Sequence, residues 1–321
     1  MQVNENIKQN AVSWDLESRI GGRNENQDFY GYCETPDGRH LFIVCDGMGG
    51  MRGGSTASRE AVRVIIDEVS RSLETDSVII LTNALKKANA FIHYLGKSKE
   101  DLRGMGTTVV ALLIGEDKAT AAHVGDSRIY QLRGKHKIFR TFDHSMVFEL
   151  VKQGKLTEEQ ARLSAESNII SRALGLNPDV EVEINDKLTY LKGDRFMLCS
   201  DGISGMVEEQ KLLKMINSKE TVNETVKNIA DNIDSLGVDF GGGHDNLTAI
   251  LIEVNTNSKI KPKMDKKSKL IIIILSFLLL VSIGFNLYAY MFPKMQDENE
   301  QISVPIQTTP DVAETDNAIK F

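Results

Sequence analysis

The amino-acid sequence predicts an α+β fold in which antiparallel sheets are covered by helices, followed by one apolar helix long enough to cross a bilayer. Three observations carry this. Short β-rich runs recur at hairpin-like spacing, which favours antiparallel pairing. Amphipathic stripes lie between groups of these runs, without the regular strand and helix alternation of a doubly wound parallel sheet. Residues 270–292 read LIIIILSFLLLVSIGFNLYAYMF and carry no charged side chain.

In chain order, Leu41-Phe42-Ile43-Val44 reads as a buried strand running into Asp46-Gly47. Ala57, Ala61, Ile65, Val69 and Leu73 make one helical stripe, and Val78, Leu81, Leu85, Ala88, Ile92 and Leu95 make a second, so two adjacent amphipathic helices follow. Strand candidates come next at 107–114, 119–124, 128–132 and 137–140. Thr157 and Gln160 have the spacing of a capping box that starts a helix. Residues 195–200 form another strand candidate, ending at Asp201-Gly202. Val222, Val226, Ile229, Ile233 and Leu236 form a further stripe that Gly237 is expected to close, and 246–254 is the last strand candidate. The sequence contains no internal repeat.

Asp46, Asp126, Asp201 and Asp245 all sit at strand ends beside glycine or a turn residue. One Asp-Gly pair is ordinarily a plain turn. Four such ends can converge on one edge of a sheet structure, where their carboxylates would repel one another without cations between them. Oxygen-only donors suit Mg²⁺ or Mn²⁺, so a metal cluster is the economical account.

Composition narrows the function. A net charge of −7 and no basic face before residue 259 argue against nucleic-acid binding. Three cysteines, two of them inside apolar runs, fit a reducing compartment, and MQVNENIKQN does not resemble a signal peptide. Before the apolar run, KIKPKMDKKSK carries six lysines against one aspartate, and the tail after Phe292 has only Lys294 and Lys320. The positive-inside rule then places the soluble part in the cytoplasm, with the lysines resting against anionic lipid. The expected organisation is a folded domain at 1–255, a basic juxtamembrane linker at 256–269, a transmembrane helix at 270–292 and a disordered extracytoplasmic tail at 293–321.

The order of short motifs is more specific than any one of them: RNENQD at 23–28, DGMGG at 46–50, GMGTT at 104–108, GDSR at 125–128, NIISRALG at 168–175, SDG at 200–202 and GGGHDN at 241–246. This series, from about Val12 to Glu253, resembles the metal-dependent Ser/Thr protein phosphatases of the PPM or PP2C family, in a bacterial variant. The resemblance implies a central antiparallel β-sandwich with helices outside each sheet and a dinuclear Mn²⁺ or Mg²⁺ site at one end. By that resemblance, Asp46 bridges the two metals, the Gly47 carbonyl binds one of them, and Asp201 and Asp245 complete the other. Asp28 acts mainly through waters, Asp126 helps to hold a third, weaker metal with Asp201, and Arg23 clamps the substrate phosphate. The residue types suit this chemistry in their own right. Two cations about 4 Å apart activate a water for in-line attack on phosphorus, and an arginine fork matches phosphate oxygens.

Two departures stand out. Met48 replaces a histidine proposed as the general acid in animal members, and Gln27 replaces a glutamate near the second metal. The acid role is then open to a metal-bound water, His40 or His144, and the weaker charge predicts looser binding of the second metal. The segment at about 142–167 matches the family's flap, expected to tune substrate choice. The expected partners are phosphoproteins, an opposing Ser/Thr kinase and the bilayer.

Other readings fit the residues less well. Cys33 and Arg39 have the C-x5-R spacing of cysteine phosphatases, but Glu34 and Asp37 would repel the substrate, Pro36 removes an amide and a strand follows in place of a helix. A membrane-tethered pseudophosphatase would be expected to lack a metal carboxylate, and none is lost. A small-molecule phosphoesterase would share the chemistry but not the substrate.

Overall fold

The computed structural model describes residues 11–49, 53–260 and 266–291. The expected tail at 293–321 and linker residues 261–265 lie outside the described residues. The chain divides into two compact units, with the C-terminal helix in the second.

The first unit opens with β1 (Val12–Arg19), β2 (Asp28–Glu34) and β3 (His40–Met48), followed by α1 (Gly53–Ser70) and α2 (Ser77–Ser98). Then come β4 (Gly106–Thr107), β5 (Val109–Ile114), β6 (Ala119–Val124), β7 (Arg128–Arg133) and β8 (His136–Arg140). Short helices α3 (Met146–Lys152) and α4 (Glu158–Arg162) precede β9 (Glu183–Leu188) and β10 (Arg195–Cys199). Helices α5 (Asp201–Ser204), α6 (Glu209–Ile216) and α7 (Val222–Asp239) lead to β11 (Leu247–Val254), and α8 (Lys266–Met291) is the C-terminal helix.

One sheet runs β1-β11-β10-β7-β8 and the other β2-β3-β5-β6-β9, with β4 added beside the end of β3. Every pairing is antiparallel. Strand side chains alternate between faces, and β3 shows what this does. Leu41, Ile43 and Cys45 pack into the core shared with α1 and α2. Phe42 and Val44 point the other way and meet Phe196, Leu198, Ile250 and Ile252 of the facing sheet. On the outer side of that second sheet, Met197, Cys199 and Leu251 pack against Ile203, Leu212, Ile229 and Ile233 of α5, α6 and α7. The result is four layers, helix, sheet, sheet, helix. Each fully buried large aliphatic side chain contributes about 1.5–3 kcal/mol, so three continuous cores hold the sandwich together.

Helix ends follow their sequence signals. Asp76 caps α2 by accepting from the Val78 amide at 2.8 Å. Thr157 with Gln160 forms the expected capping box on α4, and Thr221 with Glu224 forms another on α7.

Several features differ from the sequence expectations, among them Leu73, which lies beyond the end of α1 and is exposed. Gly237 does not close the last stripe, because α7 continues to Asp239. Its role is close packing: a Cβ at Gly237 would lie 2.2 Å from the His244 ring. The strands at 119–124 and 128–133 are not a hairpin but belong to different sheets, joined by a corner at Gly125-Asp126-Ser127. Strand β1 was not legible, because most of its residues are only half-buried at a sheet edge and its periodicity is weak.

The Ile273–Tyr290 stretch of α8 has a mean hydropathy of 2.0 and no buried residue. Ahead of the second unit, residues 255–259 strap onto the first. The Asn255 amide donates to Ala11 O at 2.8 Å, that of Ser258 to Tyr190 O at 2.9 Å and that of Lys259 to Glu116 O at 2.9 Å.

Candidate active site

The predicted site residues come from five separate segments, and the fold brings them to one end of the two sheets. Asp46 and Gly47 end β3, and Asp28 stands opposite Asp46 in register on β2. Asp126 occupies the corner that crosses between the sheets, Asp201 opens α5 directly after β10, and Asp245 lies two residues before β11. Gly202 makes the last two approach each other, since a Cβ there would sit 2.0 Å from Asn246 O. Arg23, Asp46, Gly47, Asp126, Asp201 and Asp245 all line one cavity of about 580 Å³. Asp28 does not line it. It is buried behind Asp46, and its Oδ2 accepts from Ser200 Oγ at 2.8 Å.

The electrostatics show a group of carboxylates short of cations. Burial pushes the Asp46 carboxyl well above the usual range, and repulsion from Asp28, Asp201 and Asp126 adds to this. Asp126 is raised by burial and then by Asp201 and Asp143. Asp201 is raised by burial and by Asp245. Asp28 is pushed up to about 7, by burial first and then by Asp201 and Asp245, against hydrogen bonds from Thr248 and Ser200 that lower it. Asp28 Oδ1 and Asp201 Oδ1 are buried with no hydrogen-bond partner among the described residues. Arg23 is the cation in contact, and its Nη2 donates to the half-exposed Asp245 at 2.8 Å. Orphaned buried carboxylate oxygens that raise one another's pKa fit a site for hard divalent cations, which would satisfy them and remove the repulsion.

A polar frame fixes these groups. The Asp46 amide donates to Thr108 Oγ1 at 3.0 Å, while Thr107 Oγ1 and the Thr108 amide both donate to Asp46 O at 2.8 Å. Asn246 holds the loop that carries Arg23: its Oδ1 accepts from the Gln27 amide at 2.8 Å, and its Nδ2 donates to Ile20 O and Glu25 O. Arg128 forks onto Asp143 at 2.8 and 2.6 Å and ties the start of the 142–167 segment to β7. Thr107, Thr108, Arg128, Ser200 and Asn246 lie inside the sequence motifs, but the sequence alone gives them no part. Their signal is a polar side chain placed where an apolar strand ends.

Among the described residues no histidine lines this cavity, and His244 lines an adjoining one that shares Arg23, Asp126, Asp201 and Asp245. His40 lies six residues from Asp46 along β3, roughly 20 Å away, and bonds Tyr32 instead. His144 accepts from the Gly125 amide at Nδ1, so its Nε2 carries the proton and donates to Glu183. Burial and His123 push it down to about 4, which leaves it neutral at pH 7. His123, His144 and Glu183 cluster as metal ligands can. However, the two imidazoles stack 4.5 Å apart at 21°, so their in-plane lone pairs do not converge on one point. His244 is a loop residue whose Nε2 bonds Asp234 at 2.7 Å.

Comparison with known proteins bears on the fold and the family. Residues 17–238 match the family model described as Protein phosphatase 2C. A serine/threonine phosphatase stp from Listeria innocua is 36% identical over 241 residues, covering 74% of this chain and 93% of the relative. The S. agalactiae serine/threonine phosphatase structure superposes with a TM-score of 0.67 at 33% identity, covering 76% of this chain and 99% of that one. The catalytic domain of the serine threonine protein phosphatase PstP, solved in complex with 2 manganese ions, superposes with a TM-score of 0.64 at 29% identity, covering 76% and 98%.

Proposed function

The chain belongs to the protein phosphatase 2C family, and we propose that its carboxylate-lined cavity hydrolyses phosphoserine and phosphothreonine in proteins. The observation that carries this reading is the convergence of Asp46, Asp126, Asp201 and Asp245 with Arg23 around one cavity. We assign Asp46, the Gly47 carbonyl, Asp201 and Asp245 to two Mn²⁺ or Mg²⁺ ions, Asp126 with Asp201 to a weaker third, and Asp28 to the shell behind Asp46. When bound, the ion pair supplies an activated water for attack on phosphorus.

The remaining work falls to the chain. Arg23 is half-exposed at the mouth and has a guanidinium fork to offer two phosphate oxygens, at the cost of its contact with Asp245. Ser200, by donating to Asp28 Oδ2, holds that carboxylate and leaves its buried Oδ1 without a hydrogen-bond partner among the described residues. Thr107 and Thr108 fix the Asp46 backbone, so its carboxylate would need little reorganisation to hold a cation. Met48 lines the cavity and has no proton to give, so the leaving alkoxide is protonated from water.

We assign α8 to a single span of the membrane, supported by its uncharged, unburied stretch Ile273–Tyr290 and by the lysines ahead of that stretch. The catalytic unit would then be cytoplasmic, the 293–321 tail outside, and the effective concentration near membrane-bound Ser/Thr kinases raised. The test is phosphate release from phosphothreonine peptides with Mn²⁺ and with EDTA. Asp201→Ala is expected to abolish Mn²⁺-dependent turnover while the circular dichroism spectrum is retained. Near wild-type turnover by that variant would reject the assignment, and hydrolysis of metabolite phosphates but not phosphopeptides would favour a small-molecule phosphoesterase.

A further inference from the structure

At the C-terminal end of α2, His93, Gly96 and Lys97 face Arg103-Gly104-Met105 and Gly175-Leu176 across a cavity of about 400 Å³. Two of its lining residues are cationic, a third is a histidine and none is acidic, in a chain of net charge −7. Arg103 is singular among the described arginines: each of the others has a carboxylate or aromatic partner, and Arg103 has none. Lys97 also forms no ion pair among the described residues; its place in the last turn of α2 suits the helix dipole, but Arg103 lies beyond the helix and has no such reason. His93 Nδ1 bonds Gly175 O at 3.0 Å and therefore carries the proton, which leaves Nε2 as an acceptor.

We propose that this pocket is a second phosphoryl-binding subsite, taking a further phosphate of the substrate or free inorganic phosphate. The inference rests on the phosphatase reading and extends it to substrates phosphorylated more than once. A guanidinium fork from the loop after α2, with an ammonium and an imidazole acceptor one turn apart on α2 itself, suits a tetrahedral oxyanion bearing up to one proton better than a planar carboxylate. The pocket also adjoins the catalytic end of the sheet. A Cβ on Gly49 would lie 3.2 Å from Met105 Cα, and Gly106-Thr107 pair with Met48 and Gly47. Only Met48 separates Gly47 from Gly49, so the two phosphate positions are on the order of 10 Å apart, the reach of three or four extended residues.

The experiment uses the full chain in detergent micelles, with Mn²⁺ and non-hydrolysable phosphonate analogues of phosphothreonine for the peptides and with EDTA for inorganic phosphate, so that binding is read without turnover. Fluorescence anisotropy compares a peptide bearing one phosphothreonine with a peptide bearing a second phosphothreonine three or four residues away. The second phosphate is expected to tighten binding roughly five- to tenfold. The paired substitution Lys97→Ala with Arg103→Ala should erase that gain while singly phosphorylated peptide binds as before and the melting temperature holds. In a second arm, inorganic phosphate is titrated calorimetrically into Arg23→Ala protein with and without the paired substitution. Loss of the phosphate heat there, with no gain from a second peptide phosphate, would identify free phosphate as the occupant. If neither the peptide gain nor the phosphate heat depends on Lys97 and Arg103, the subsite is refuted. Turnover of singly phosphorylated peptide with Mn²⁺ is a separate measurement, so failure of the phosphatase reading would be seen apart from failure of the subsite.

Discussion

Removing one carboxylate from the cluster should stabilise the metal-free protein and weaken its response to metal. Asp28 is the informative choice, because it lies behind Asp46, outside the cavity lining, and an asparagine there can still accept from Ser200 Oγ. Its folded pKa of about 7 stands about three pH units above the ordinary carboxylate value. The raised value means that native Asp28 keeps a proton that the unfolded chain has released. Stability is therefore lost as pH rises from about 4 to about 7 and stays lost above. Three units correspond to about 4 kcal/mol, or roughly 10 °C in the melting temperature of a domain this size. Asp46, Asp126 and Asp201 shift in the same direction and add to the slope. Thermal melts of wild type and Asp28→Asn in EDTA, at pH 4 and pH 8, provide the assay. The two proteins should melt together at pH 4, the variant should melt higher at pH 8, and Mn²⁺ should raise wild type more than the variant. A wild type whose EDTA melting temperature rises from pH 5 to pH 8, or a variant no more stable at pH 8, would refute the account of an uncompensated carboxylate cluster.

Further outcomes follow from individual contacts. Arg23→Ala should raise KM for phosphopeptides roughly tenfold with little change in kcat, since it binds phosphate in ground and transition states alike; steady-state kinetics check the split. Gly237→Ala should destabilise by about 1–3 kcal/mol in denaturant titration, because the added methyl collides with the His244 ring. Arg128→Lys replaces a buried fork on Asp143 with a single point of contact and should cost about 2–3 kcal/mol, read in the same titration.

Each part of the chain was legible to the degree that its signal is local. Helices α1, α2 and α7 repeat apolar residues at helical spacing, and the capping box at Thr157 and Gln160 is written within four residues. The central strands are continuous apolar runs because both their faces are covered. Strands β1 and β9 lie at sheet edges, where half-burial dilutes the pattern.

The sequence by itself determined that the aspartates end strands and that oxygen donors for hard cations were available, because residue type and turn chemistry are properties of a few neighbours. It also determined the apolar length of α8. Only the tertiary structure decided that Asp126 rides on a corner between two sheets, that Asp28 sits behind Asp46 and outside the cavity, that His40 lies at the far end of β3, and that Gly237 makes room for His244. Those outcomes depend on which strands pair and which faces pack. Residues more than a hundred positions apart meet there, and the energies that join them come from burial shared among all four layers.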